Sequence, residues 1–311
     1  MNPTTSFVPA PLAPPVDQAP VAPEASLAVA FSELTKARLT VMVLLTTLTG
    51  YFLASRGPFD WVRLIHTLLG TALVAICASI LNQALERNTD ALMRRTEHRP
   101  FVTRRLPLTP TVSAGLLLGA IGLAELGWFV NGLTALLAAI TLATYVVIYT
   151  PMKRFTVFNT LVGAIPGALP PLLGATAARG HFCVEGWTLF ALLAFWQLPH
   201  FYAIAWLYRE DYHAAGLRMV SVNDPTGRRT GIHAVISALL LLPVSLLPAW
   251  IGPSGVLYAL VAALLSAAFI ALAIRFARHP DRPTARGLFL GSITYLPLIL
   301  IALVIDLATR R

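Results

Sequence analysis

The chain has 311 residues, 57% of them hydrophobic and 12% charged, with a formal net charge of +9 at pH 7. A mean hydropathy of +0.72, with a charged share far below the roughly 25% of soluble domains, excludes an ordinary water-soluble globule and places the chain in a membrane. Its two cysteines, Cys77 and Cys183, lie in or beside apolar runs with no pairing or ligand spacing, which excludes a disulfide framework and makes both buried small hydrophobes.

The opening stretch MNPTTSFVPAPLAPPVDQAPVAPEAS is rich in Pro and Ala, lacks Lys and Arg, and has no continuous apolar segment. It reads as a disordered tail over residues 1–27 rather than a signal peptide, with a single integral-membrane domain over 28–311. Nine apolar runs follow, each long enough to cross about 30 Å of hydrocarbon as a helix. Their expected bounds are 39–55, 64–87, 110–130, 132–149, 156–176, 186–208, 232–251, 255–277 and 287–307. The fifth, NTLVGAIPGALPPLLGA, carries three prolines and is expected to be kinked or broken.

Charge placement supports that count. With the N-terminus cytoplasmic, the inner segments hold 18 of the 23 basic residues, and only Arg56, Arg63, Arg179, Arg310 and Arg311 fall outside. The positive-inside rule therefore favours an odd number of spans, a multi-pass protein of the cell's inner membrane and an external C-terminus. The net charge is a topology signal and needs no nucleic acid to explain it. One acid, Glu125, falls in the third span toward its outer half, where a hydrogen-bonded structural role is the default.

At the cytoplasmic end of the second span stands LNQALERNTDALMRRTEHRP. Asn82, Glu86 and Asp90 recur every four residues, so a helix carries them on one face and aims their oxygens into one volume. Two adjacent carboxylates repel unless a cation lies between them, and oxygen ligation suits Mg²⁺, which commonly bridges carboxylates to phosphates. The competing reading is a solvated helix end whose acids pair with Arg87, Arg94 or Arg95. The arginines serve either reading, because Mg²⁺ plus arginine is also what a diphosphate needs.

A second polar cluster lies four spans later, in FWQLPHFYAIAWLYREDYHAAGLRM. His200 lies inside a span and is a site candidate, with a hydrogen-bonded structural histidine as the alternative. Glu210 and Asp211 are adjacent and diverge by about 100° on a helix, so only one is a strong ligand candidate. Asp211 is the choice, and Glu210 is left to solvent. Two such clusters at corresponding helix ends suggest two helical halves facing one cavity.

The stretch NQALERNTDALMRRTEHRP resembles the first polar motif of the UbiA-type intramembrane prenyltransferases, in the form seen in their haem-farnesylating branch, the protohaem IX farnesyltransferases. Met93, Arg95, Thr96, Arg99 and Pro100 fall in register. LTKARLTVMVLLTTLTGYFLA, YTPMKRFTVFNTLVGAIPGALPPLLG and WQLPHFYAIAWLYREDYHAAGLRM agree in the same order, covering most of the chain from Leu34 to Met219. One departure is Glu86, which stands where that pattern has Asp.

The resemblance implies an all-α polytopic bundle of about nine transmembrane helices around a central cavity open to the cytoplasmic side. It implies transfer of farnesyl from farnesyl diphosphate to the 2-vinyl group of protohaem IX (haem B), a substrate rather than a cofactor, with water addition, giving haem O. Asn82, Glu86, Asp90 and Asp211 would hold Mg²⁺ on the diphosphate and serve catalysis. Lys36, Arg38, Arg95, Arg99 and Lys153 would contact its oxygens, with Arg154 supported by proximity alone, although lipid headgroups are equally natural partners for such side chains. His200 would contact haem as an iron ligand or at a propionate. Tyr149, Phe195, Trp196, Phe201 and Tyr202 are aromatic candidates to face an allylic cation. Membrane lipids and, downstream, a haem A synthase or terminal oxidase are the implied partners. The rivals are a prenyltransferase for a quinone precursor or other aromatic acceptor, and a secondary transporter, which would carry its acids at mid-span.

Overall fold

The computed structural model describes residues 27–252 and 254–310. The tail expected over residues 1–27 lies outside them except for Leu27, which opens the first helix. Every regular element among the described residues is helical. A short α1 (Leu27–Leu34) precedes α2 (Ala37–Ala54), α3 (Trp61–Asp90), α4 (Leu108–Phe129) and α5 (Gly132–Ala143). A π-helical stretch, Thr144–Tyr149, continues α5 into α6 (Thr150–Met152). Then come α7 (Asn159–Arg179), α8 (Val184–Leu207), the short α9 (Arg209–Ala214), α10 (Arg228–Trp250), α11 (Val256–Arg278) and α12 (Arg282–Ala308).

Nine of these segments, counting Gly132–Met152 as one, are long and apolar enough to cross a membrane. They coincide with the nine expected spans, the largest difference being the five residues by which α12 starts early, at Arg282 rather than 287. That helix gains its first turn from a capping box, in which Asp281 Oδ1 accepts the Thr284 backbone N–H at 2.8 Å. Side-chain caps also start α3, where Asp60 accepts from the Arg63 N–H, and α5, where Asn131 accepts from the Thr134 N–H.

The fifth span departs from expectation. α7 runs unbroken from Asn159 to Arg179 through Pro166, Pro170 and Pro171, and the irregular backbone lies one span earlier, at Thr144–Tyr149. Prolines here remove donors from the helix, yet α7 is the most enclosed of the nine spans and is held from outside by its neighbours. Its tightest partner is α2. A Cβ on Gly50 would come within 2.0 Å of the Pro171 carbonyl oxygen, and one on Gly174 within 1.9 Å of the Thr47 carbonyl oxygen. Glycine is required at both positions because the two backbones touch there.

Two groups of helices share the load. One apolar core joins residues of α8, α10, α11 and α12, among them Leu192, Leu241, Phe276 and Ile299. A second joins α3, α4, α5 and α7 through Val74, Leu126, Leu137 and Leu172. Glu125 of α4 is accounted for at the end of the bundle away from Asp90: its Oε1 lies 2.6 Å from His66 Nδ1, and Phe129 stacks on that imidazole at 4.5 Å. Cys77 and Cys183 are free thiols in buried positions, as expected.

Candidate active site

The last two turns of α3 place Asn82, Glu86 and Asp90 on one buried face, each exposed by 9% or less. Burying two carboxylates is costly unless cations meet them, and two cations do, with a third on the neighbouring amide. Lys153 Nζ donates to Glu86 Oε1 at 2.7 Å. Arg99 Nη1 donates to Asp90 Oδ2 at 2.5 Å and lies 4.0 Å from Glu86 Oε2. Lys36 Nζ donates to Asn82 Oδ1 at 2.6 Å, while Asn82 Nδ2 donates to Glu86 Oε2 at 3.0 Å and to Thr150 Oγ1 at 3.1 Å.

These partners come from three separate stretches of chain. Lys36 is delivered by a left-handed residue, φ 46 and ψ 51, at the break between α1 and α2. That break is anchored to α3, because Ser79 Oγ and Gln83 Nε2 both donate to the Leu34 carbonyl at 2.7 Å. Arg99 sits in the loop after α3, whose fold is fastened by Thr96 Oγ1 donating to the Asp90 carbonyl at 3.0 Å. Lys153 follows α6, and its own carbonyl accepts the Arg218 N–H at 2.8 Å, while Asn159 Nδ2 donates to the Arg218 carbonyl at 2.8 Å. The loops after α6 and α9 are thereby tied together over the site.

The π-helical stretch serves the same cluster. Thr150 Oγ1 donates to the Tyr145 carbonyl at 2.8 Å, five residues back. In a regular α-helix residues five apart point about 140° away from each other, and the wider π turn brings them toward one side. Thr150 thus meets Asn82, the Tyr145 hydroxyl meets Lys36 Nζ at 3.4 Å, and the Tyr149 ring lies 4.6 Å from Lys153 Nζ. The two tyrosine rings stack at 5.6 Å. Neither Tyr145 nor Thr150 is among the sequence candidates, although Thr150 lies inside YTPMKR and Tyr145 stands four residues before it.

Burial pushes Lys36 down to about 7, with Arg99 and Lys153 repelling its charge and Glu86 and Asp90 opposing the shift. Lys153 moves the other way: burial disfavours its ammonium, but Tyr149 and Glu86 attract it and the net direction is upward. Two lysines a few ångströms from the same carboxylates are therefore held unequally, and Lys36 is the one whose charge is least secure.

The remaining sequence candidates divide. Arg95 is exposed and engages α9 instead of the carboxylate face: its backbone N–H approaches Asp211 Oδ2 at 3.4 Å, its guanidinium donates to the Tyr212 hydroxyl at 3.3 Å, and Tyr208 lies beneath it at 4.8 Å. Asp211 is half-buried while Glu210 is exposed. Among the described residues, however, no three His, Cys, Asp or Glu side chains converge as a metal cluster, because Asp211 is turned to the Arg95 loop while Lys153 and Arg99 cover Glu86 and Asp90. Arg38 and Arg154 are exposed at the edge of this region. His200 stands apart from the carboxylates, with Nδ1 2.7 Å from Ser292 Oγ on α12 and its ring stacked between Trp196 at 5.1 Å and Phe289 at 5.2 Å. Trp196 Nε1 donates to the Ser292 carbonyl at 2.8 Å, so this aromatic group is braced against α12.

One polar atom is conspicuous. Asp90 Oδ1 is buried and accepts no hydrogen bond, an arrangement that costs about 1–3 kcal/mol or more for a charged group. A hard cation at that oxygen, shared with Glu86 and the Asn82 amide oxygen, would relieve the cost, and the all-oxygen donor set is of the kind Mg²⁺ prefers. The residues present therefore fit that ion.

Residues 43–298 match the model of the UbiA prenyltransferase family. The chain is 44% identical over 285 residues to the protoheme IX farnesyltransferase of Solibacter usitatus, covering 89% of this chain and 98% of that one. It is 42% identical over 292 residues to the protoheme IX farnesyltransferase of Koribacter versatilis, covering 91% and 94%. Among solved structures, digeranylgeranylglyceryl phosphate synthase superposes with a TM-score of 0.77 at 15% identity over 91% of this chain and 99% of the other. A UbiA homologue from Archaeoglobus fulgidus bound to GPP and Mg²⁺ gives a TM-score of 0.61 at 15% identity, covering 88% and 99%. At that identity the two structures speak for the fold alone.

Proposed function

The chain belongs to the UbiA prenyltransferase family, and on that premise we propose that it transfers the farnesyl group of farnesyl diphosphate to the 2-vinyl group of protohaem IX, with addition of water, giving haem O and diphosphate. The observation that carries the reading is the buried Asn82–Glu86–Asp90 face met by Lys36, Arg99 and Lys153. The choice of haem as acceptor rests on the relatives at 42–44% identity.

The allylic carbon–oxygen bond breaks to leave a delocalised cation and a diphosphate, so the barrier falls when the leaving group's growing charge is met by fixed positive groups. Arg99 and Lys153 are held ready by the acids they pair with, and on binding they exchange carboxylate oxygens for diphosphate oxygens. Asn82, Glu86 and Asp90 would hold Mg²⁺, with Asp211 reaching it by a movement of α9 away from the Arg95 backbone N–H. When bound, that ion supplies Lewis-acid neutralisation of the diphosphate. Arg95 and Arg38 lie at the exposed rim, where they would guide the anionic head inward.

Stacked Tyr145 and Tyr149 offer the cation a π face beside the lysines. The vinyl carbon of the haem supplies the electron pair that forms the new carbon–carbon bond, and water then adds to the cation left on the side chain and releases one proton to solvent. His200 presents the haem with an imidazole oriented through Nδ1 by Ser292, as iron-binding or propionate-binding histidines are oriented by a partner on the other ring nitrogen. The carboxylate end of the bundle is assigned to the cytoplasm by the basic excess of its loops, with the chain in the cell membrane and its product passed to a haem A synthase or terminal oxidase.

Incubating the purified protein with protohaem, farnesyl diphosphate and Mg²⁺ tests the proposal. Mass spectrometry is expected to find the hydroxyethylfarnesyl adduct of haem. Prenylation of a quinone precursor, with haem left unchanged, would overturn it.

A further inference from the structure

The end of the bundle that holds the carboxylates is unusually basic around α10, α11 and α12. Arg228 and Arg229 open α10, Arg275 and Arg278 close α11, and Arg282 and Arg286 begin α12. The helices bring them together closely. Gly231 of α10 packs directly on Ala277 of α11, and Gly227 packs on Pro280 and Trp206. Among the described residues none of these six arginines has a carboxylate within ion-pair distance. The acids nearby, Asp224 and Asp281, spend their carboxylates on Thr230 in the first turn of α10 and on the α12 cap.

Into this rim opens a surface cavity of about 420 Å³ lined by Ala271, Ile274, Arg275, Arg278 and His279. Its chemistry changes along its length. Ala271 and Ile274 lie deeper in the span and are apolar, while Arg275 and Arg278, one helical turn apart, stand at its mouth, both exposed. The last carbonyls of α11 make a helix C-terminus unfavourable for an anion. An anion must therefore be held here by the side chains themselves, through the forked hydrogen bonds that guanidinium groups make to phosphate.

We propose that this groove binds one anionic glycerophospholipid, with its phosphate between Arg275 and Arg278 and an acyl chain along Ala271 and Ile274. Charge complementarity selects the occupant. A zwitterionic lipid brings a choline that the surrounding arginines repel, and a soluble phosphate leaves the apolar wall unused. Each basic side chain near a membrane surface contributes about 1 kcal/mol toward an anionic lipid, so two together correspond to roughly a thirtyfold preference. The site is separate from the prenyl-transfer residues, so its failure and the failure of the proposed reaction are read by different measurements.

Native mass spectrometry of the full-length protein in non-ionic detergent, titrated with phosphatidylglycerol or phosphatidylcholine, provides the test. One phosphatidylglycerol is expected to bind with saturable affinity, weakened about thirtyfold by the double substitution Arg275→Gln and Arg278→Gln. Ala271→Trp, which fills the groove and keeps the charge, is expected to weaken it as well. Phosphatidylcholine retention should be equal in all three proteins, and glycerol 3-phosphate should not displace the bound lipid. The thermal midpoint of the unliganded variants should match the parent, since both arginines are exposed and among the described residues neither has a carboxylate within ion-pair distance. Equal phosphatidylglycerol binding by parent and either variant, or displacement by glycerol 3-phosphate, overturns the proposal.

Discussion

Lys153 Nζ and Glu86 Oε1, 67 residues apart in sequence, lie 2.7 Å from each other at the inner edge of the helical bundle. The pair joins the end of α3 to the segment after α6, and both side chains are largely withdrawn from solvent. In the proposed reaction it is a contact that a diphosphate would break or share, which makes each partner a separate probe of binding and of stability.

Glu86→Gln keeps the shape and the hydrogen-bonding capacity of the side chain while removing its charge. Turnover is expected to fall by about 10²–10³-fold, the scale on which a single electrostatic contributor to a developing charge acts. Product formation and a thermal melt on the same preparation check it, and parental turnover would remove Glu86 from the mechanism.

Lys153→Met has a different expectation, because it strands a buried carboxylate. Removing one member of a buried pair costs about 3–5 kcal/mol, and Arg99, 4.0 Å from Glu86, offsets part of this. A loss of about 2–3 kcal/mol in denaturant unfolding in detergent should therefore accompany the loss of activity.

Asp90 carries a buried carboxylate oxygen that accepts no hydrogen bond. In Asp90→Asn the half-saturating Mg²⁺ concentration for product formation should rise tenfold or more, and chelation of Mg²⁺ should abolish turnover in the parent. An unchanged Mg²⁺ dependence in the variant would take Asp90 out of the ion site.

Much of this cluster is visible in the residues themselves. Asn82, Glu86 and Asp90 repeat at the spacing of one helix face, and nine apolar runs announce nine spans, so the scaffold and its acidic stripe follow from periodicity. What meets the stripe does not. Lys36 and Lys153 reach it from 46 and 67 residues away, and no local pattern states which cation pairs with which acid. Arg95 shows the limit clearly: it lies in the same motif as Arg99, yet Arg99 turns in to Asp90 and Arg95 turns out to Tyr208 and Tyr212. The three prolines of α7 suggested a break for a sound local reason, but packing against α2 decides the outcome, and packing is not a local property.

The α2–α7 contact yields its own expectation. At Gly50 a methyl group would lie 2.0 Å from the Pro171 carbonyl oxygen, and backbone atoms cannot step aside as a side chain can. Gly50→Ala should destabilise the protein by at least about 1–3 kcal/mol, the range for overpacked cores. Thermal unfolding measures it, and an unaltered midpoint would mean that the helices separate freely.

Asp281 supplies a pH-dependent test. Its carboxyl is held below the usual aspartate value by the Thr284 backbone N–H and hydroxyl. A depressed folded-state value means that the cap stabilises the protein above the unfolded aspartate value near about 3.9 and loses that contribution as pH falls through the folded one. Asp281→Ala should lower the thermal midpoint at pH 7, and the gap to the parent should close as the pH falls through the folded-state value. A gap that stays constant with pH would show that the charge is immaterial to the cap.

The widened turn at Thr144–Tyr149 is in effect a phase slip of one residue. If the same six residues wound at ordinary α spacing, everything after them would rotate by about 100° relative to what precedes them. Composition, hydropathy and span length would hardly change. Thr150 and Lys153 would nevertheless point elsewhere, and the acids of α3 would face empty lipid or one another. Two chains indistinguishable to a hydropathy plot could thus differ entirely in whether they assemble this centre.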